Sequence, residues 1–252
     1  MIAAVKDGDT VRTRTFDNDR DAKAPRFGVG GNPSTGPFYV EGALPGDTLV
    51  VRLNKVRANK KTARQGGRIH ARAINAGYLV GAKYDPAVTG EWTLDMEKGV
   101  ATLANPTGSL KGFTVPIKTM LGCVSVAPPG ALFGIGDAHA AQGDGELTGS
   151  ALETSADVEF TVDVIKGDIY QQVRAETKDF LIAFGVSGSV HESIQASTTL
   201  LVEWLKKDYQ MTDSEVALLV GAVMQYDIAE LVDPHINVVA KVPKAALAHL
   251  KK

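Results

Sequence analysis

The chain has 252 residues, 44% of them hydrophobic and 22% charged, with a formal net charge of −2. This balance fits a globular protein with a sizeable core. It offers no basic stripe for nucleic acid, and no apolar run approaches a membrane span. The single cysteine, Cys123, excludes an internal disulfide framework and a CxxC zinc site. The opening "MIAAVKDGDTVRTRT" shows no apolar signal region, so a cytoplasmic protein is expected.

The first two-thirds of the chain read as strands. In "DTVRTRTF", Val11, Thr13 and Thr15 alternate with Thr10, Arg12 and Arg14. Residues 16–36 are polar and rich in Gly and Pro, and predict a long surface loop. "GALPGDTLVVRL" is a turn followed by Leu49, Val51 and Leu53 on one face. The basic stretch 54–68 reads as a solvated loop, with phosphate or acidic-ligand binding as its other reading. "GVATLA", "LGCVSVA", "ALFGIG" and "VEFTVDVI" follow as strands, the last with Val158, Phe160, Val162 and Val164 toward the core. Cys123, inside "LGCVSV", is expected to be a buried structural thiol.

The pattern changes near residue 186. Ser189 and Glu192 stand at capping-box spacing before Ile194, Leu201, Trp204 and Leu205. Thr212 and Glu215 repeat the device ahead of Val216, Leu219, Val220 and Val223. "INVVAKV" alternates once more, and "PKAALAHL" predicts a short terminal helix with Pro243 near its first turn. The expected layout is a β-rich body over 1–170 and a strand–helix–helix–strand α+β portion over 171–252.

One segment, "GDAHAAQGDGELTGSALE" (136–153), concentrates polar groups on little bulk. Asp137, His139, Gln142, Asp144 and Glu146 fall within ten residues. In an extended strand, Asp137 and His139 share a face, as do Asp144 and Glu146. Gly143 and Gly145 permit a turn that folds the second pair toward the first. One imidazole with several carboxylates suits a divalent cation, zinc through nitrogen and oxygen or calcium through oxygen. Three readings stay open on spacing alone: a polar β-turn, a calcium-stabilised loop and a catalytic metal site.

The same segment resembles the signature of the acetamidase/formamidase family of amide hydrolases. "TGPFYVEGALPGDTL" (35–49), "MLGCVSVAP" (120–128) and "QYDIAELVDPHINVVAKVPK" (225–244) are similar to further family segments, in the same order. The resemblance implies a mainly β protein, with a jelly-roll-like sandwich and an appended α+β portion, assembled as a homodimer or higher homo-oligomer. It also implies hydrolysis of formamide- or acetamide-type amides with a divalent metal, zinc first and calcium second. Carried onto this sequence, Asp137, His139 and Asp144 are the expected metal ligands. Asp144 and Glu146 are also candidates for general base, Gln142 would orient the substrate amide, and Glu41 would reach the same pocket.

The resemblance departs in one place. In the family, a few dozen residues with a Gly-Gly-Asn-x-Asp motif separate the "VAP" and "GALF" strands. Here Pro128–Pro129–Gly130 joins them directly. Gly30–Gly31–Asn32 precedes "TGPFYVEG" and is set aside as lying in the wrong place. The segment before "GDTV" is also short. These departures leave a second expectation, a family-shaped binding protein with an incomplete, non-catalytic metal site.

Overall fold

The computed structural model describes residues 2–18, 21, 32–127, 131–168 and 173–250. The Pro128–Gly130 junction lies outside the described residues. The strands and helices of the N-terminal half are β1 (Ala3–Val5), β2 (Thr10–Arg14), β3 (Ser34–Val40), β4 (Thr48–Ala58), β5 (Thr62–Gln65), α1 (Ala76–Gly81), β6 (Gly90–Asp95), β7 (Val100–Leu103) and β8 (Thr114–Pro116). Then come β9 (Met120–Ala127), β10 (Leu132–His139), β11 (Glu153–Thr154) and β12 (Ala156–Ile165). The chain continues with β13 (Arg174–Glu176), β14 (Phe180–Ser187), α2 (Val190–Tyr209), α3 (Asp213–Val223), β15 (Gln225–Glu230) and β16 (Ile236–Pro243). The protein is mainly β, as expected.

Two compact units result. The first comprises Met1–Arg68, Lys83–Gln142 and Ser150–Ile169; the second comprises Ile69–Ala82, Gly143–Gly149 and Tyr170–Lys252. Two stretches expected in the body, 69–82 and 143–149, thus group with the C-terminal unit.

The first unit holds a nine-stranded and a three-stranded sheet. The large sheet runs β1-β3-β10-β11-β5-β6-β7-β8, with β9 on the free side of β10; the small one runs β2-β12-β4. Phe38, Val40, Phe133 and Ile135 of the large sheet meet Val158, Phe160 and Val162 of the small one in one buried cluster. Phe160 packs edge-on against Phe38 and Phe133, with ring centroids 5.4 and 5.1 Å apart. The alternation predicted in "VEFTVDVI" is therefore the inner face of a sandwich.

The outer face of the small sheet corrects the expectation for residues 54–68. Most of them are strand: β4 continues to Ala58 and β5 spans Thr62–Gln65, with only 59–61 and 66–68 between and after them as loop. Ala58 and Ala63 are buried, while the basic side chains face out. Acidic residues of β12 stand opposite both neighbours, Glu159 facing Arg12 and Lys55, Asp157 facing Arg14 and Arg57. Arg12 and Arg14 bond Glu159 and Asp157 at 2.6 and 3.0 Å. Cross-strand charge complementarity supports a strand that composition alone suggests is coil.

The second unit contains a four-stranded antiparallel sheet, β13-β14-β16-β15, with α2 packed on β14 and β16. Both predicted caps form: Ser189 accepts from the Glu192 N–H, and Thr212 and Glu215 make a complete capping box. Helix α2 lies so close to β14 that a Cβ on Gly185 would fall 1.9 Å from the Ser193 carbonyl oxygen. That contact explains why Ser193 and Ser197, small residues, are buried in the helix face. Strands β13 and β15 were not expected, and "PKAALAHL" forms a four-residue 3-10 turn, Lys244–Leu247, instead of an α-helix. Among the described residues, no helix is long and apolar enough to cross a membrane.

Candidate metal centre

Strand β10 carries apolar side chains into the core until Ile135 and then changes character. Asp137 adopts a positive φ of 56°, a conformation few non-glycine residues take. It and His139 are buried beside Glu153, which the register of β11 sets directly opposite His139. Asp137, His139 and Glu153 each direct a ligand-capable atom into a region where these atoms lie within 4.8 Å of one another. His139 Nε2 is 3.4 Å from Asp137 Oδ1 and 3.3 Å from Glu153 Oε1.

Neither approach has hydrogen-bond geometry, and both His139 Nε2 and Glu153 Oε2 are buried without a hydrogen bond. An orphaned imidazole nitrogen, 1% exposed, between two carboxylates is expensive unless a positive charge joins it. Ligands about 2.0–2.1 Å from a tetrahedral ion stand about 3.3–3.4 Å from each other, so the observed spacings fit a cation among the three.

The surrounding bonds fix the ligand atoms. His139 Nδ1 and Gln142 Oε1 are 2.9 Å apart; with Nδ1–H donating, the neutral ring keeps its lone pair on Nε2. The Asn32 amide donates to Asp137 Oδ2 at 2.8 Å, and the Cys123 thiol approaches the same oxygen at 3.6 Å. Asn18 donates to Oδ1 at 3.3 Å. The Ala151 N–H donates to Glu153 Oε1 at 3.0 Å. Gly122 of β9 is required here: a Cβ would meet Asp137 Oδ2 at 2.7 Å and His139 Cε1 at 2.8 Å.

The electrostatics point the same way. Burial alone would lower the His139 pKa, but Asp137 and Glu153 reverse this and push it up to about 11. Burial raises the Asp137 carboxyl, yet the imidazole outweighs it and holds the group below its usual value. For Glu153 burial wins, and its pKa is raised. Two carboxylates in one buried site favour a cation, a proton on the ring or a metal ion in its place.

Of the residues singled out from sequence, Asp137, His139 and Gln142 come together. Asp144 is exposed and Glu146 half-buried with φ 49°, on the turn 143–149 that belongs to the second unit. Glu41 is exposed just after β3. None of these three belongs to the group of mutually close ligand atoms. Cys123 is exposed on β9, contrary to the expectation of a buried thiol. Asp17, expected on a surface loop, is buried and paired with Lys60 at 2.9 Å.

Sequence reasoning missed Glu153, Asn18 and Asn32. Glu153 closes the quoted segment and immediately precedes the alternating β12 pattern, which is a usable signal for an inward-facing carboxylate. Asn32, set aside with Gly30–Gly31, is 105 positions from the carboxylate it holds. Its signal was the Gly-Gly-Asn match itself, discounted because of its place in the chain.

The profile of the acetamidase/formamidase family matches residues 119–247, just over half the chain. Three solved structures are similar over nearly its whole length. An acetamidase from Yersinia enterocolitica is 22% identical with a TM-score of 0.80, over 98% of this chain and 86% of that one. An acetamidase from Bacillus halodurans is 20% identical, TM-score 0.80, over 99% and 93%. A predicted acetamidase/formamidase from Thermoanaerobacter tengcongensis is 22% identical, TM-score 0.77, over 98% and 90%. No curated protein matches the chain. At these identities the solved structures establish a shared fold.

Proposed function

Because the chain belongs to the acetamidase/formamidase family, we propose that it hydrolyses small linear amides of the formamide and acetamide kind to carboxylate and ammonia, at the Asp137–His139–Glu153 cluster with a divalent cation held there. The observation that carries this reading is the buried His139 Nε2, facing two carboxylates with no hydrogen bond of its own. Asp137 Oδ1, His139 Nε2 and Glu153 Oε1 are the atoms that would hold the ion. The imidazole favours zinc over calcium. When bound, such an ion polarises an amide carbonyl and makes a water more acidic.

The chain's own groups account for the remaining needs of the reaction. Gln142 holds the ring so that Nε2 faces inward. Asn32 and Cys123 engage Asp137 Oδ2, while Oδ1, which also accepts from Asn18, is the oxygen beside His139 Nε2. Glu153 Oε2 is an acceptor with no hydrogen bond, suited to take a proton from an attacking water and return it to the departing nitrogen. Gln142 therefore orients a ligand in this scheme, where the sequence reading gave it the substrate amide.

Ammonia release from formamide and acetamide tests the reading, measured on purified protein before chelation, after it, and after zinc is restored. The expected result is turnover that chelation abolishes and zinc recovers. Turnover unaffected by chelation sinks the metal assignment. Zinc binding without turnover leaves a metal-binding protein of this fold.

A further inference from the structure

Asp17 is a buried carboxylate outside the cation cluster, 1% exposed and lying shortly after β2. It pairs with Lys60 of the 59–61 loop, whose Nζ is 2.9 Å from Asp17 Oδ2 and 3.5 Å from Asp21 Oδ1. Asp17 and Asp21 also bind each other. The Asp17 N–H donates to Asp21 Oδ2 at 2.7 Å, and the Asp21 N–H donates to the Asp17 carbonyl at 3.1 Å. Burying such a pair brings little net stability, because both charges give up water.

Each end of the pair is tied to one side of the cluster. On the Asp17 side, the next residue, Asn18, donates to Asp137 Oδ1 at 3.3 Å, the oxygen beside His139 Nε2. On the Lys60 side, the preceding residue, Asn59, is bonded to the segment that follows Glu153. The Asn59 N–H donates to the Ser155 carbonyl at 3.0 Å, and the Ser155 hydroxyl donates to Asn59 Oδ1 at 2.6 Å. The Asn59 amide also donates to Asp157 Oδ1 at 2.9 Å. The Lys60–Asp17 contact thus closes a chain of bonds from Asp137 to the strand that carries Glu153, through residues distant in sequence.

We propose that Lys60 is a positioning residue for the cation site: by holding Asp17 it keeps Asn18 against Asp137 Oδ1, and so fixes Asp137 relative to Glu153. This rests on the cation reading above. The contact is a charge-assisted hydrogen bond, short enough to hold its partner in place. The compact ammonium group serves Asp17 and Asp21 together. Lys60 touches none of the three cluster residues in this scheme and acts only through Asn18.

The test is a double-mutant cycle read as zinc affinity, by chelator competition on the parent, Lys60→Met, Asn18→Ala and the double variant. Groups that orient a ligand typically contribute 10–100-fold in metal affinity. Asn18→Ala should weaken zinc binding about tenfold, and Lys60→Met, acting one step further back, at least about threefold. The double variant should bind zinc within about twofold of Asn18→Ala, because both changes act through one bond. Losses that multiply, or a Lys60→Met affinity within twofold of the parent, overturn the proposal and leave the cation site intact. If Lys60→Met does not fold, Asp21→Ala replaces it, with the same cycle and the same thresholds. If the parent binds no zinc, the cation reading fails separately and the metal-free protein decides. The Asn18 side-chain amide resonance, identified by its loss in Asn18→Ala, should then move toward the value of a water-exposed amide in Lys60→Met or Asp21→Ala. An unmoved resonance overturns the proposal.

Discussion

The end of β10 and the start of α3 treat buried and polar groups in opposite ways. At the helix, Thr212 accepts from the Glu215 N–H and Glu215 accepts from the Thr212 N–H, so each polar group meets one a turn away. At the strand, Asp137 takes an unfavourable φ, and His139 Nε2 and Glu153 Oε2 are buried without a hydrogen bond. Local agreement of propensity, capping and packing marks a region built for stability. Local disagreement held by the rest of the fold marks a region built for binding. Substitutions in the two places should therefore separate stability from cation affinity.

The largest effect is expected at Glu153. Glu153→Gln keeps the shape but removes one of the two carboxylates facing His139. Zinc affinity should fall at least a hundredfold, erasing about 2.7 kcal/mol of zinc-induced stabilisation at saturating metal. The melting temperature of the metal-free protein should hold or rise, because an uncompensated buried charge is gone. Calorimetric titration and melting curves with and without zinc read both quantities. A large loss of metal-free stability would mean that the carboxylate holds the fold together.

Gln142→Ala is expected to be milder. It removes the hydrogen bond on the far nitrogen of His139, and groups that orient a ligand in this way typically contribute 10–100-fold in metal affinity. Competition with a coloured chelator measures it. Affinity within twofold of the parent protein would show that packing alone fixes the ring.

The smallest effect, and the one confined to stability, is at the α3 cap. Thr212→Ala should cost about 1 kcal/mol in urea unfolding and leave zinc affinity unchanged. Its pH dependence follows from Glu215, whose pKa lies below the usual 4.5 because it accepts from the Thr212 N–H and hydroxyl. A depressed carboxyl pKa stabilises the folded state above the unfolded value, and that contribution is lost as pH falls through the folded one. The parent should thus lose helix stability below about pH 4.5, and Thr212→Ala should show a weaker acid dependence. Equal acid dependence in both proteins would remove Glu215 from the cap.

These differences also explain what was legible in advance. Both helix N-termini and the inward face of β12 follow from spacings of two to four residues, and local hydrogen bonding and side-chain periodicity enforce them wherever the chain is placed. Asp137 and His139 were legible for the same reason, being two apart on a strand. The turn that carries Asp144 and Glu146 was visible as a turn, but its direction was not, because glycine permits many. The sequence by itself determined the mainly β class, the two caps and one half of the cation cluster. Only the tertiary structure decided the other half. Pairing of β11 with β10 brings Glu153 to His139, and the folded chain carries Asn32 and Asn18 to Asp137 across 105 and 119 positions. Such contacts depend on the register of strands distant in sequence, which hydrophobic pattern constrains only to one face or the other.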